Sequence, residues 1–178
     1  MPDFVLANGS VDCGELFARL SSPFVAKGLE SSMGREVFLI KEARDFRSLV
    51  ARFGQSKEWL CEEFVETSAG RDMRLFVVQG IVVAAMQRES RDDFRANVAL
   101  GANCHSIEIT DAMRNTAKEI HEQTGLLFFG LDLLFGSDSR PVFCEVNVMP
   151  GIRGIEEACH VNAAGRVMEA IVEELEHD

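Results

Sequence analysis

The spacing of apolar positions changes repeatedly along the chain, and each change marks an element. Pro23 to Lys27 and Glu36 to Ile40 are short apolar runs on either side of a small, polar loop, Gly28 to Arg35. That pattern predicts a hairpin with a long, flexible tip. From Ala43 to Phe53 the residues Phe46, Leu49, Val50 and Phe53 recur at helical spacing and stop at Gly54. Trp59 to Val65 predicts a third strand. Met73 to Gln79 and Ile81 to Gln87, rich in valine and split at Gly80, predict a second hairpin. After an irregular stretch, Asp92 to Asn103, an amphipathic helix spans Thr110 to Thr124, capped by Thr110 or Asp111 and stopped by Gly125. Leu126 to Phe135 and Pro141 to Asn147 flank a Gly136–Arg140 turn and predict a third hairpin. Asn162 caps a last helix running to about Glu174, and residues 1–22 read as an entry segment with a short helix around Asp12 to Leu20.

Hairpins and helices alternate without a parallel βαβ rhythm. This predicts an α+β fold of antiparallel sheets, each covered by helices on one face. No Pro- or Ser-rich linker divides the 178 residues, so two closely packed lobes are expected, residues 1–65 and 66–178. The content of 47% hydrophobic and 26% charged residues is that of a soluble globular protein. A net charge of −11 argues against nucleic-acid binding through a broad basic face. It leaves room for an anionic ligand, because basic residues concentrate between Arg71 and Arg95. No apolar run approaches the ~20 residues of a membrane span, and the N-terminus lacks a signal-peptide pattern. The five cysteines, odd in number and without a CxxC pair, read as mostly buried thiols of a reducing, cytoplasmic environment.

The third hairpin carries the sharpest chemistry. A turn centred on Asp138 and Ser139 sets Asp132 directly opposite Glu145, with Asn147 two residues along on the same face. The other face then holds Phe129, Leu131, Leu133, Phe135, Val142, Cys144 and Val146, a core face. Two facing carboxylates repel, and these two sit among Phe128, Leu134 and Phe143. A hard divalent cation resolves the conflict. Two carboxylates and an amide oxygen, completed by water and phosphate oxygens, suit Mg2+ (or Mn2+). The blander reading is a sheet face open to water, on which Asp and Glu need no partner, but few other polar residues share this face. Lys27 ends an apolar strand just before the small-residue loop, from which it can reach a phosphate that the loop's backbone N–H groups cover. Lysines often end strands, so this signal is weak alone, and no Walker A pattern is present. Arg71, Arg74, Arg88 and Arg95 surround the middle hairpin, and Arg95, in the irregular segment, is the functional candidate among them.

Taken in order, Lys27, Glu63-Phe64-Val65, Gly70-Arg71-Asp72-Met73-Arg74, Val82 to Met86, Asp93-Phe94-Arg95-Ala96-Asn97, Asp132 and Glu145-Val146-Asn147 resemble the motifs of the ATP-grasp ligases. Within them the chain is most similar to the RimK type, which adds glutamate to a protein or peptide C-terminus, as in ribosomal protein modification. The resemblance continues through Pro150-Gly151-Ile152 and Gly154-Ile155-Glu156 and covers about residues 23–175. It implies the ATP-grasp fold, two lobes of antiparallel sheet with packed helices and the nucleotide between them. It also implies that Lys27 and Ser32 contact the phosphates, that the backbone of Glu62, Glu63, Phe64 and Val65 reads adenine, and that Asp72 holds the ribose hydroxyls. Arg74 and Arg88 would join the nucleotide contacts, Arg95 and Asn97 would serve catalysis at the phosphate end, and Asp132, Glu145 and Asn147 would hold the metal.

The activity so implied is that of an ATP-dependent carboxylate–amine ligase working through an acyl phosphate, a glutamate or amino-acid ligase acting on a peptide or small acid. The implied partners are a carboxylate substrate and an amine acceptor, and a homo-oligomer is compatible with them. Such ligases carry an N-terminal α/β domain that helps form the substrate site, and this chain begins where that domain would end. The loop Ser31 to Glu36 is poorer in glycine than its family counterparts, and Leu100-Gly101-Ala102 stands where RimK-type members often have Arg-Gly-Gly. These departures motivate a second reading, a non-catalytic ATP-binding module or a ligase fragment whose substrate domain is missing.

Overall fold

Successive side chains of a strand point to opposite faces, and short strands near the start of the chain use that alternation to bury one face. The computed structural model describes residues 1–31, 34–98, 101–138 and 140–177 and divides into two units, Met1–Glu66 and Thr67–Asp178. In the first unit, β1 (Phe4–Ala7), β2 (Phe24–Gly28), β3 (Val37–Ile40) and β4 (Trp59–Glu63) form an antiparallel sheet in the order β1-β4-β2-β3. Phe24, Ala26, Ile40, Trp59 and Cys61 are buried with Leu16 and Leu20 of α1 (Cys13–Leu20) and with Phe46, Leu49 and Val50 of α2 (Ala43–Phe53). Asp12 caps α1 by accepting from the N–H groups of Gly14 and Glu15, and Glu42 and Asp45 form a capping box on α2. The other face of the sheet carries Val25, Lys27, Leu60 and Glu62.

Two features of this unit differ from the sequence expectation. Residues 4–7 form an edge strand paired with β4; four consecutive apolar residues show no alternation by which a strand could be recognised. The strand starting at Trp59 ends at Glu63 rather than Val65. Its last partner on β2 is Phe24, and Pro23 before it has no N–H to extend the ladder.

The second unit holds a five-stranded antiparallel sheet in the order β7-β6-β5-β8-β9, built from β5 (Arg71–Val78), β6 (Ile81–Glu89), β7 (Asn103–Ser106), β8 (Phe128–Phe135) and β9 (Pro141–Asn147). Met73, Leu75, Val77, Phe129, Leu131 and Leu133 pack with Met113 and Ala117 of α3 (Asp111–Thr124). On the opposite face, Phe76, Val78, Ala84 and Met86 pack with Ile155 of α4 (Arg153–Cys159) and with Ala163, Val167 and Ala170 of α5 (Ala163–His177). Thr110 caps α3, Gly125 ends it in the left-handed conformation, and the Asn162 side chain accepts from Gly165 N–H at the start of α5. β7 and α4 were not expected: Asn103-Cys104-His105-Ser106 is a polar edge strand without alternation, and α4 is only 7 residues long.

The third hairpin needs a register correction. Asp132 does pair with Glu145, but Leu133 pairs with Phe143, Leu134 with Val142 and Phe135 with Pro141. A five-residue turn, 136–140, shifts the register by one, and a bulge at Cys144 shifts it back before Glu145. Phe143, not Val142 or Cys144, therefore joins the core face; like Phe135 and Val146 it packs against the cluster that holds Leu131 and Leu133. The cysteine expectation also changes: only Cys61 is buried, and the other four are half-buried. Burial pushes the Cys61 thiol up to about 12.

The β5–β6 turn uses Gln79 and Gly80 with φ of 47° and 76°, as a two-residue hairpin of matching twist requires. A Cβ at Gly80 would also lie 2.9 Å from the His121 ring. Gly80→Ala is expected to destabilise the chain by about 1–2 kcal/mol, measured by urea denaturation; unchanged stability would contradict this turn geometry.

Candidate active site

Strand pairing alone lines up a polar strip across four neighbouring strands of the second unit. Asp72 on β5 lies opposite Arg88 on β6, Arg74 on β5 opposite Asp132 on β8, and Asp132 opposite Glu145 on β9. Asn147 is two residues along β9, opposite Gly130. Side chains complete the connection. The Arg74 guanidinium donates from Nε to Asp132 Oδ1 at 2.6 Å and from Nη2 to Oδ2 at 2.5 Å. Arg88 donates from Nε and Nη2 to the two oxygens of Asp72, both at 2.6 Å, and from Nη2 to Asp132 Oδ2 at 2.9 Å. Asn147 Nδ2 donates to Glu145 Oε1 at 3.0 Å and reaches Asp132 Oδ2 at 3.5 Å.

Arg88 and Asp132 are each only 2% exposed. A charge so buried is tolerable only with close, hydrogen-bonded partners, and forked Arg–carboxylate pairs are the strongest available. Burial disfavours the ionised form of Asp132, but the charge of Arg88 and the hydrogen bonds from Arg74 outweigh it and hold its pKa below the ordinary range. Burial also works against the charge on Arg88, and Asp132 and Asp72 overcome it. Asp72 has a single fork against the same burial, and its pKa is pushed up to about 6.

Six of the expected site residues, Asp72, Arg74, Arg88, Asp132, Glu145 and Asn147, are thus joined in one hydrogen-bonded strip. Asp72, expected to hold ribose hydroxyls, here has both oxygens on Arg88. Arg95 and Asn97 lie on the segment after β6, which is pinned at its start: Ser90 N–H donates to the Gly70 carbonyl at 2.7 Å, and Gly70 N–H donates to the Phe94 carbonyl at 2.9 Å. A Cβ on Gly70 would fall 2.9 Å from the Ser90 carbonyl oxygen, and its φ is 70°, so no other residue fits there without strain. The Arg95 guanidinium rests on Asp93, with Nη2 to Oδ2 at 2.6 Å, and Asn97 is half-buried.

In the first unit, Lys27 Nζ lies 2.6 Å from Glu62 Oε2, with side-chain exposures of 21% and 11%. The expected phosphate lysine is therefore part of a partly buried ion pair rather than a simple surface charge. Glu63 is exposed, Phe64 and Val65 are half-buried, and the latter two follow the end of β4. Ser32 lies outside the described residues, as do Leu100 and Ser139.

Among the described residues no group of three or more His, Cys, Asp or Glu side chains is placed to hold a metal. The candidate donor set is mixed, with the carboxylates of Asp132 and Glu145 and the amide of Asn147 on one face of the β8–β9 hairpin. Arg74 and Arg88, not a cation, offset the Asp132 carboxylate here, so the expected repulsion is already relieved; the hard oxygen donors still fit Mg2+. Among the described residues no helix is long and apolar enough to cross a membrane.

The two carboxylates that share Arg88 should titrate apart. Asp72, with a folded pKa above its unfolded value, favours the folded state increasingly as pH falls from 7 towards 4. Asp132 has the opposite sign: its stabilisation is present above the unfolded value and is lost as pH falls through the folded one. Carboxyl-carbon NMR is expected to place the Asp72 midpoint at about 6; a midpoint at about 3.9, the ordinary value, would contradict this balance.

Residues 1–171 match the RimK-like ATP-grasp domain. The chain is 36% identical over 174 residues to a probable alpha-L-glutamate ligase of Thioalkalivibrio sulfidiphilus, covering 96% of this chain and 58% of that protein. It is 39% identical over 150 residues to another from Psychromonas ingrahamii, covering 83% and 49%. The chain thus spans about half the length of the curated relatives it matches. Among solved structures it resembles the ATP-grasp ligase PsnB complexed with minimal precursor, Mg and ADP, with a TM-score of 0.71 at 20% identity over 97% of this chain and 53% of that one. It also resembles the D-cycloserine synthetase DcsG, with a TM-score of 0.76 at 16% identity over 98% and 65%. These likenesses show the α+β ATP-grasp fold. From its sequence, the chain belongs to the RimK-like ATP-grasp family.

Proposed function

We propose that this chain is the ATP-binding catalytic body of a carboxylate–amine ligase, acting in the cytoplasm on a peptide or small acid and an amino-acid amine, glutamate being the first candidate. The observation that carries this reading is the meeting of Asp132, Glu145 and Asn147 on one sheet face beside two buried arginines. Asp132, Glu145 and Asn147 would hold Mg2+, which would offset the negative charge of the phosphates. Lys27 would meet phosphate as a compact positive charge, and the backbone of Glu62 to Val65 would recognise the base. Arg74, Arg88 and Asp72 would complete the nucleotide contacts, and Ser32 would contribute from its loop. Selection of the acid and amine would fall to an N-terminal α/β domain or a partner supplying it.

The reaction class is phosphorylation of a carboxylate followed by aminolysis. A substrate carboxylate oxygen attacks the γ-phosphorus of ATP and the bond to the ADP oxygen breaks. The amine nitrogen then attacks the acyl carbon, loses a proton, and inorganic phosphate leaves. In this scheme Arg95 would move from Asp93 to counter charge on the transferring phosphoryl group, with Asn97 beside it, an effect typically worth several kcal/mol in such sites.

The first half-reaction can be trapped. Incubation with ATP, Mg2+, hydroxylamine and a panel of amino acids and short acidic peptides is expected to yield ADP and an acyl hydroxamate. The assay is run on this chain and on any longer polypeptide that carries it. Arg95→Ala should lower trapped product by about two orders of magnitude or more. ATP binding without ADP or hydroxamate in every setting would favour the non-catalytic module instead.

A further inference from the structure

Both carboxylate oxygens of Asp132 are already engaged by guanidinium groups. Its Oδ1 is held by Arg74 Nε, and its Oδ2 takes donors from both Arg74 Nη2 and Arg88 Nη2, with Asn147 Nδ2 at 3.5 Å. A divalent ion on these oxygens would face two guanidinium charges across one carboxylate. Repulsion between the ion and two guanidiniums favours release of one arginine, and the structure distinguishes them. Arg88 is forked onto Asp72, gives Asp132 a single bond and has a side chain 3% exposed. Arg74 places both of its bonds on Asp132, has no other bonded partner among the described residues, and its side chain is 14% exposed. Release of Arg74 leaves Asp132 paired with Arg88, whereas release of Arg88 would also take the fork from Asp72.

We propose that Arg74 is a latch on the metal site: it competes with the divalent cation for Asp132, and a phosphate that draws the guanidinium away hands the carboxylate to the metal. Cation and nucleotide then bind with positive coupling, set by an exchange of partners at one side chain. This inference rests on the reading of Asp132 as a metal ligand. Arg74 thereby acts as a positioning residue, setting the order in which the site is filled.

Mn2+ binding, followed by the electron paramagnetic resonance of the free ion, tests this with and without ADP. In the unmodified chain, ADP is expected to tighten Mn2+ about tenfold or more, within the usual range of coupling between sites. Arg74→Gln should tighten Mn2+ about tenfold in the absence of ADP and shrink the further effect of ADP accordingly. Arg74→Lys, which keeps the charge but loses the fork, should fall between the two, and it serves as the test if the glutamine variant does not fold. Loss of any nearby positive charge also tightens a cation, so Arg74→Lys separates the two effects: a latch predicts tighter ADP-free Mn2+ binding in both variants, a mere charge effect in Arg74→Gln alone. Unchanged or weaker ADP-free Mn2+ binding in Arg74→Gln, with Asp132→Asn still abolishing Mn2+ binding in the presence of ADP, overturns the latch and leaves the metal site standing. If Asp132→Asn binds Mn2+ and ADP as the unmodified chain does, the latch falls together with the ligand assignment.

Discussion

The charge balance around Asp132 ties together the strand order and register of the second unit. A carboxylate 2% exposed must be matched locally, and the match comes from Arg74 and Arg88, each delivered by its own strand. Arg88 is in turn aimed by Asp72, so two carboxylates and two guanidiniums close a neutral set. Strand order and register must be right for this set to form, since moving any one strand by a residue turns a charge onto the apolar face under α3. Such ion pairs are weak evidence for stability, because apolar residues of similar volume commonly hold a fold as well. Their concentration at one end of a sheet face, beside an exposed glutamate and an amide, argues for a site instead.

Much of this architecture was legible in the sequence because the signals were local. Phe46, Leu49 and Val50 at helical spacing, Asn162 before the last helix and Gly80 at a tight turn all act within a few residues, and the structure uses each of them. What escaped were elements without a period and interactions set by register. The edge strands β1 and β7 are held by their partners, not by their own pattern.

The charged strip shows the limit most clearly. A turn at Gln79–Gly80 without a bulge would set Asp72 opposite Gln87; the irregularity after Phe76 moves it to Arg88. In the β8–β9 hairpin the turn and the bulge at Cys144 shift the register in opposite senses, so Asp132 still meets Glu145 while Phe143 and Val142 exchange faces. Neither bulge has a sequence signal here, since neither contains glycine. The Lys27–Glu62 pair is likewise a diagonal contact between strands 35 positions apart in numbering, visible only once β2 and β4 are aligned.

The account depends on Glu145 and Asp132 being opposed for the sake of a cation. ATP binding by the unmodified chain and by Glu145→Gln, each with Mg2+ and with chelator, measures this most directly. The account predicts that Mg2+ tightens ATP binding in the unmodified chain, that Glu145→Gln removes most of that gain, and that the two proteins bind metal-free ATP alike. Metal-free ATP bound as tightly as Mg-ATP, or a Glu145→Gln variant that binds Mg-ATP normally, would contradict it.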